Sequence, residues 1–267
     1  MREVLPEHLV AFIRSLPEKC EYSRNDLLVP ELKLAENAAE GLTIYDAPIG
    51  WINHDARLVL IGVTPGFTQM QIVYRAVRTY LLAGANANDA CRSAKYEASF
   101  GGAMRTNLIR MLDDLEVPEL LDVASAADLF GSSSHLLHTT SAVQYPTFFH
   151  GQNYTGSRPP LVRSAFLMRY VRDVLAPELS RLHAAVFVPL GKSVSAALEL
   201  LETEQCIPAG RILHGFPHPS GANGHRGRQF ERTKTAMRRR LEEILGEGPS
   251  VRNVRQQHAV GDAVCTN

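Results

Sequence analysis

Residues 58–62 form an uninterrupted apolar run, Leu58-Val59-Leu60-Ile61-Gly62, that breaks at once into Val63-Thr64-Pro65-Gly66. A run this short, ended by proline and glycine, predicts a strand buried on both faces and closed by a tight turn. Elsewhere Leu9, Val10, Phe12, Ile13 and Leu16 recur at helical spacing over 7–17. The same reading predicts helices near 69–83, 103–115, 162–181, 193–201 and 230–245, and further strands at 42–45, 136–143, 183–189 and 212–216. This order predicts an α/β fold in which a central, mainly parallel sheet carries helices on both faces. Residues 1–41 read as a helical extension packed on the core, 42–245 as one α/β domain and 246–267 as a polar, aperiodic, mobile tail. A chain of 267 residues can bury such a core without a second domain.

Two segments lack either period and carry chemistry. In His218-Pro219-Ser220-Gly221-Ala222-Asn223-Gly224-His225-Arg226-Gly227, two imidazoles, a hydroxyl and a guanidinium fall within ten residues. Pro217 and Pro219 fix φ on both sides of His218, and the glycines permit tight turns, so this is a shaped loop. The second segment, 62–67, follows the predicted strand. In open α/β sheets, ligands bind beyond the carboxyl ends of strands, which points both loops at one crevice.

At these residues the chain resembles the uracil-DNA glycosylase superfamily. His-Pro-Ser at 218–220, followed after four residues by His225-Arg226-Gly227, is similar to that family's second motif, and Gly62-Val63-Thr64-Pro65-Gly66 fits the Gly-x-x-Pro core of its first. Weaker similarities, at Thr140-Ser141-Ala142-Val143 and at 185–192, lie between them in the family's order, so the resemblance covers roughly 45–245. The long helical stretch 67–99 after the first motif departs from the family pattern.

The resemblance implies a metal-independent, monofunctional enzyme of DNA repair that hydrolyses the N-glycosidic bond of uracil, or of another deaminated base, and leaves an abasic site. His218 would donate to a carbonyl oxygen of the departing base. Thr64 stands where the family normally carries a carboxylate or an amide to position water; Asp46, in the preceding turn, is the candidate substitute. The base pocket would comprise Gly62, Val63, Pro65, Gly66, Phe67, Phe100 and Ser141, with Phe100 as the stacking ring and Phe67 as its alternative. Ser141 replaces a base-reading asparagine, and Gln144, Gln152 and Asn153 are placed to take over that role. Ser220, Gly221, Ala222, Asn223, His225 and Arg226 would contact DNA around the flipped nucleotide. Ala222 replaces a bulky wedge, which favours single-stranded DNA. Thr64 and Ala222 also fit a non-hydrolysing binder of damaged or abasic DNA, and hydrolysis of free nucleosides is a third reading.

Composition changes this picture little. Formal net charge is zero, but 224–240 holds Arg226, Arg228, Arg232, Lys234, Arg238, Arg239 and Arg240 against Glu231 alone. That run is either an electrostatic footprint for a phosphate backbone or a solvated helix face. Cys20, Cys91, Cys206 and Cys265 stand singly, without zinc-site spacing, which predicts reduced thiols and no metal. Gly191-Lys192-Ser193 lacks the glycine spacing of a phosphate loop, so no nucleotide cofactor is expected. With no leader-like start and no apolar stretch of spanning length, the expectation is a monomer with no membrane partner, cytoplasmic and, in a bacterium, nucleoid-associated.

Overall fold

The computed structural model describes residues 5–246; the expected tail beyond Gly246 and the first four residues lie outside them. Its elements in chain order are α1 (Glu7–Ser15), α2 (Arg24–Leu27), β1 (Lys33–Asn37), β2 (Leu42–Tyr45), β3 (Leu58–Gly62), α3 (Phe67–Leu82), α4 (Ala87–Ala98), α5 (Ala103–Asp114) and α6 (Val117–Leu121). Then follow β4 (Leu137–Ser141), β5 (Thr147–Phe149), β6 (Gln152–Asn153), α7 (Ala165–Tyr170), α8 (Ala176–Ser180), β7 (Val186–Pro189), α9 (Lys192–Thr203) and α10 (Arg226–Gly246).

The apolar run at 58–62 becomes the central strand of a parallel sheet ordered β4-β3-β7, with Leu58 opposite both Leu137 and Val186. All five of its residues are buried, as a strand covered on both faces requires. Side chains alternate across the sheet, so Leu58 and Leu60 join Val186 and Val188 in a cluster with α5, α6 and α10. Val59, Ile61 and Phe187 point the other way, into a cluster with α7, α8 and α9. On α10 the core positions Phe230, Met237, Leu241, Ile244 and Leu245 follow helical spacing.

A second, antiparallel sheet runs β1-β2-β5-β6. Its outer strand lies within 1–41, the segment the sequence reads as a helical extension. Lys33–Asn37 has no buried residue and no apolar alternation, and it becomes a strand because β2 offers it a ladder. Its charges suit an edge. The 67–99 stretch folds as α3 and α4, which share a third apolar cluster with α1 and α2, including Tyr22, Tyr74 and Phe148. The N-terminal helices and the 67–99 helices are therefore packed on one another.

Two other expectations change. The predicted helix at 162–181 is interrupted by a π-helical stretch at Val171–Leu175. Pro177 lacks the N–H that would close a regular turn, and the ladder widens ahead of it. The predicted strand at 212–216 reduces to a single parallel bridge from Ile212 to Phe187. Gly215 turns the chain at φ +92°, pressed so closely on Thr233 that a Cβ would lie 2.9 Å from its methyl carbon. Among the described residues no helix is long and apolar enough to cross a membrane.

Candidate functional site

A cleft of about 560 Å³ opens at the carboxyl ends of β3 and β4. Its lining unites both sequence segments: Gly62, Val63, Thr64, Pro65 and Gly66 meet Ser141, Phe100, His218, Ser220, Ala222 and Asn223. The parallel ladder carries on past the strands, through Ala142 N–H to Gly62 O at 2.8 Å and Val143 N–H to Val63 O at 3.0 Å, and this fixes the first turn. Because Gly62 lacks a Cβ, the Phe100 ring edge (3.4 Å from where the Cβ would sit) and Ser141 Oγ (3.5 Å) close over it.

Phe100 sits between α4 and α5 at φ +48°, a left-handed conformation that is costly for an aromatic residue. Arg105 holds this backbone by donating to Ser99 O and Tyr96 O, both at 3.0 Å. Strain held in place by surrounding bonds is common at ligand sites. Phe67, by contrast, does not line the cleft. Its ring packs toward Phe148 and lies under the Arg24 guanidinium at 4.8 Å, so of the two stacking candidates only Phe100 lines the cleft. Replacing Phe100 with alanine should weaken binding of a base-containing ligand by roughly 5- to 150-fold, given ~1–3 kcal/mol for one base stacked on a ring. Titration of the variant against the native chain measures it.

The His218 loop is built by hydrogen bonds. His218 Nδ1 accepts from Ser220 N–H at 3.2 Å, which leaves the ring proton on Nε2. Burial alone lowers its pKa from the ordinary histidine value, favouring the neutral ring. Asn223 donates to His218 O at 3.2 Å, and Arg226 donates to Pro219 O (3.2 Å), Ser220 O (2.8 Å) and Asn107 Oδ1 (3.2 Å). Asn107, on α5, in turn donates to Pro219 O at 2.9 Å. Arg226 and Asn223, expected on DNA, thus shape the loop. Gly221 and His225 are exposed beside the cleft without lining it, and Ala222 lies at its rim.

Gly191 lets this loop seat. At φ +93° it approaches His218 so closely that a Cβ would lie 3.1 Å from the histidine Cβ. Gly191→Ala should cost ~1–3 kcal/mol through the strained φ and displace the imidazole. A lowered urea midpoint would register the first, and a shifted His218 ring resonance the second.

Thr64 donates its hydroxyl to Tyr145 O at 2.7 Å. Asp46 is buried, with Oδ1 accepting its neighbour's Ala47 N–H at 2.9 Å; Ala47, not Asp46, lines the cleft. No carboxylate is among the lining residues. Asn153 lines the cleft and accepts Phe67 N–H at 3.0 Å, whereas Gln152 is exposed away from it.

A buried polar group lies beneath Gln144. Glu178, 2% exposed, accepts from His138 Nε2 at 2.8 Å and from Gln144 Nε2 at 2.5 Å, while Asn53 N–H donates to His138 Nδ1 at 3.3 Å. Burial opposes the charge on Glu178, but His138, Lys95 and Thr140 outweigh it and hold the carboxyl well below its ordinary value. The His138 pKa is pushed below its ordinary value, first by burial and then by Lys95, against the pull of Glu178. Lys95, lining the cleft and donating to Trp51 O at 2.6 Å, is pushed down to about 8 by burial, against the pull of Glu178. Sequence reasoning missed Glu178, His138, Lys95 and Asn107, whose partners lie on separate elements far along the chain.

The basic run on α10 is partly committed. Arg238 donates to Leu115 O and Glu116 O and pairs with Glu116 and Glu242, Arg239 pairs with Glu243, and Arg240 pairs with Glu243 and donates to Gly210 O. Arg228 and Arg232 are exposed and, like Lys234, form no ion pair among the described residues. Cys20, Cys91 and Cys206 are free thiols; Cys265 lies outside the described residues.

No family model matches the chain, and no solved structure matches it. A protein of Bacillus subtilis (strain 168), with the name "Uncharacterized protein YoxB", is 39% identical over 221 residues, covering 82% of this chain and 86% of that protein. Identity at that level across most of both chains places this chain in the same family as the Bacillus subtilis protein YoxB.

Proposed function

We propose that the chain is a DNA glycosylase that hydrolyses the N-glycosidic bond of uracil, with other deaminated bases as further substrates, on a three-layer fold like that of the uracil-DNA glycosylase superfamily. Apolar clusters on both faces of the parallel sheet support the fold. The observation that carries the activity is His218, whose Nδ1 is occupied by Ser220 N–H, whose Nε2–H has no partner among the described residues, and which lines the cleft together with Phe100 and the 62–66 turn.

The chemistry follows from that arrangement. Breaking the bond from C1′ to the base leaves an electron pair on the base and positive character on the sugar. A flipped base stacked on Phe100 offers a carbonyl oxygen to Nε2–H, and this donor stabilises the leaving anion as charge grows. Water completes the reaction at C1′ and delivers its proton to solvent. With no carboxylate in the lining, the sugar cation is balanced by the departing base anion and the DNA phosphates. Arg228, Arg232 and Lys234 are the cations of α10 left to meet a phosphate backbone.

One observation favours a second reading, a binder of damaged or abasic DNA that does not hydrolyse. The Thr64 hydroxyl is spent on Tyr145 O, where a water-positioning group is expected. A uracil-containing strand incubated with the protein and chelator, then treated with alkali, separates the two. Strand breaks at the uracil position are the expected result, and tight binding without alkali-labile sites gives the cleft to the binder.

A further inference from the structure

We propose that Gln144 selects the base, and that the buried Glu178 carboxylate fixes which end of the Gln144 amide the base meets. This rests on the glycosylase reading of the cleft and names the feature of the substrate that is read. Gln144 is half-buried and lines the cleft. Its Nε2 donates to Thr140 Oγ1 at 3.2 Å and to Glu178 Oε2 at 2.5 Å. An amide nitrogen has two hydrogens, and both are spent inward. The Thr140 hydroxyl hydrogen goes to Glu178 as well, and the other carboxylate oxygen takes His138 Nε2. The network closes with each donor used, and Gln144 Oε1 is the amide atom without a partner among the described residues.

The polarity is not interchangeable. Turning the amide over would set Oε1 against a carboxylate oxygen at 2.5 Å, oxygen against oxygen in a site shielded from water. The cleft therefore presents an acceptor at Gln144, where a solvent-exposed glutamine would offer acceptor or donor alike.

An acceptor there requires a donor on the base. Uracil supplies N3–H and hypoxanthine N1–H, whereas cytosine and adenine carry a bare ring nitrogen at the same place and would set lone pair against lone pair. Deamination converts the one kind of edge into the other. His218 Nε2–H and a ring N–H facing Gln144 Oε1 would then read the alternating carbonyl and N–H groups that deaminated bases share.

Oligonucleotides carrying uracil or N3-methyluracil test this, since methylation removes the N3 hydrogen and keeps N1 as the leaving atom. The native chain should release N3-methyluracil slower than uracil by roughly thirtyfold or more, the scale of one hydrogen bond lost with its acceptor left unpaired. Gln144→Ala should bring the two rates within about threefold, chiefly by slowing uracil release. Glu178→Gln, which permits the flipped amide, should narrow the ratio too. A merely structural role for either residue would slow both substrates alike and keep the ratio. Equal release of both bases by the native chain overturns the proposal while leaving hydrolysis standing. If neither base is released, binding of free uracil against free N3-methyluracil decides. Preference for uracil that vanishes in Gln144→Ala upholds the recognition and removes only the hydrolysis; equal or absent binding overturns the recognition as well.

Discussion

His218→Ala is expected to reduce single-turnover release of uracil by ~10²–10³-fold, the usual loss when one preorganised donor to a developing oxyanion is removed. Asparagine at 218 keeps an N–H and should recover about a tenth of native release or less, since its shorter side chain misplaces the donor. The pH profile distinguishes this role from a structural one. Protonating Nδ1 would oppose its hydrogen to Ser220 N–H, now 3.2 Å away, and break the loop. Burial lowers the His218 pKa below its ordinary 6.5, so the neutral donor persists as pH falls through that value. Release should stay level from pH 7.5 to 6.5 and fall only in more acidic solution. A decline already complete by pH 6.5 would mean that Nδ1 is not held as described.

The largest expected effect on stability is at the buried pair. His138→Ala removes a donor to a buried carboxylate, leaves Asn53 N–H without its acceptor and opens a cavity beside Glu178. A hydrogen bond to a charged group contributes about 1.5–3 kcal/mol and an orphaned buried donor costs about 1–3 kcal/mol. Together they predict a loss of roughly 3–5 kcal/mol, or about 10 °C in melting temperature for a chain of this size. The pH dependence has a definite sign. His138 has a folded pKa below its unfolded value near 6.5, so the unfolded chain takes up a proton that the folded chain refuses. Glu178, also held below its ordinary value, acts in the same direction at lower pH. The contribution of this pair should therefore be complete above pH 6.5 and fall steadily below it. In the variant the limb beginning near 6.5 should be shallower, with His218, whose pKa burial also lowers, left to supply it. Urea midpoints measured from pH 8 to 4 on both chains test this.

The parts of the molecule that were legible in sequence are those whose signal is local. Leu58–Gly62 announced a central strand because every residue in it is apolar, and α10 because its core positions keep helical spacing. The two loops were legible because proline, glycine and histidine stand within a few residues of one another. β1 was not, since Lys33–Asn37 has no apolar face and is made a strand by its partner. The basic run was legible as charge, but its meaning was not. Whether Arg226 meets a phosphate or the carbonyls of Pro219 and Ser220 depends on where the loop folds back. Least visible was the group under Gln144: Glu178 lies 40 residues from His138 and 34 from Gln144, and only the packing of α8 beneath β4 joins them. Gln144 itself stood out as a polar residue after the second core strand, without any sign of which end of its amide would face a ligand.

Protein in excess over a single-stranded oligonucleotide bearing one uracil, with chelator throughout and free base quantified by chromatography, tests the central claim most directly. The account predicts one uracil released per strand by the native chain, an intact phosphodiester backbone, and release slowed at least about a hundredfold in His218→Ala. An oligonucleotide that is bound but keeps its uracil, or one that loses it equally fast with either chain, would contradict it.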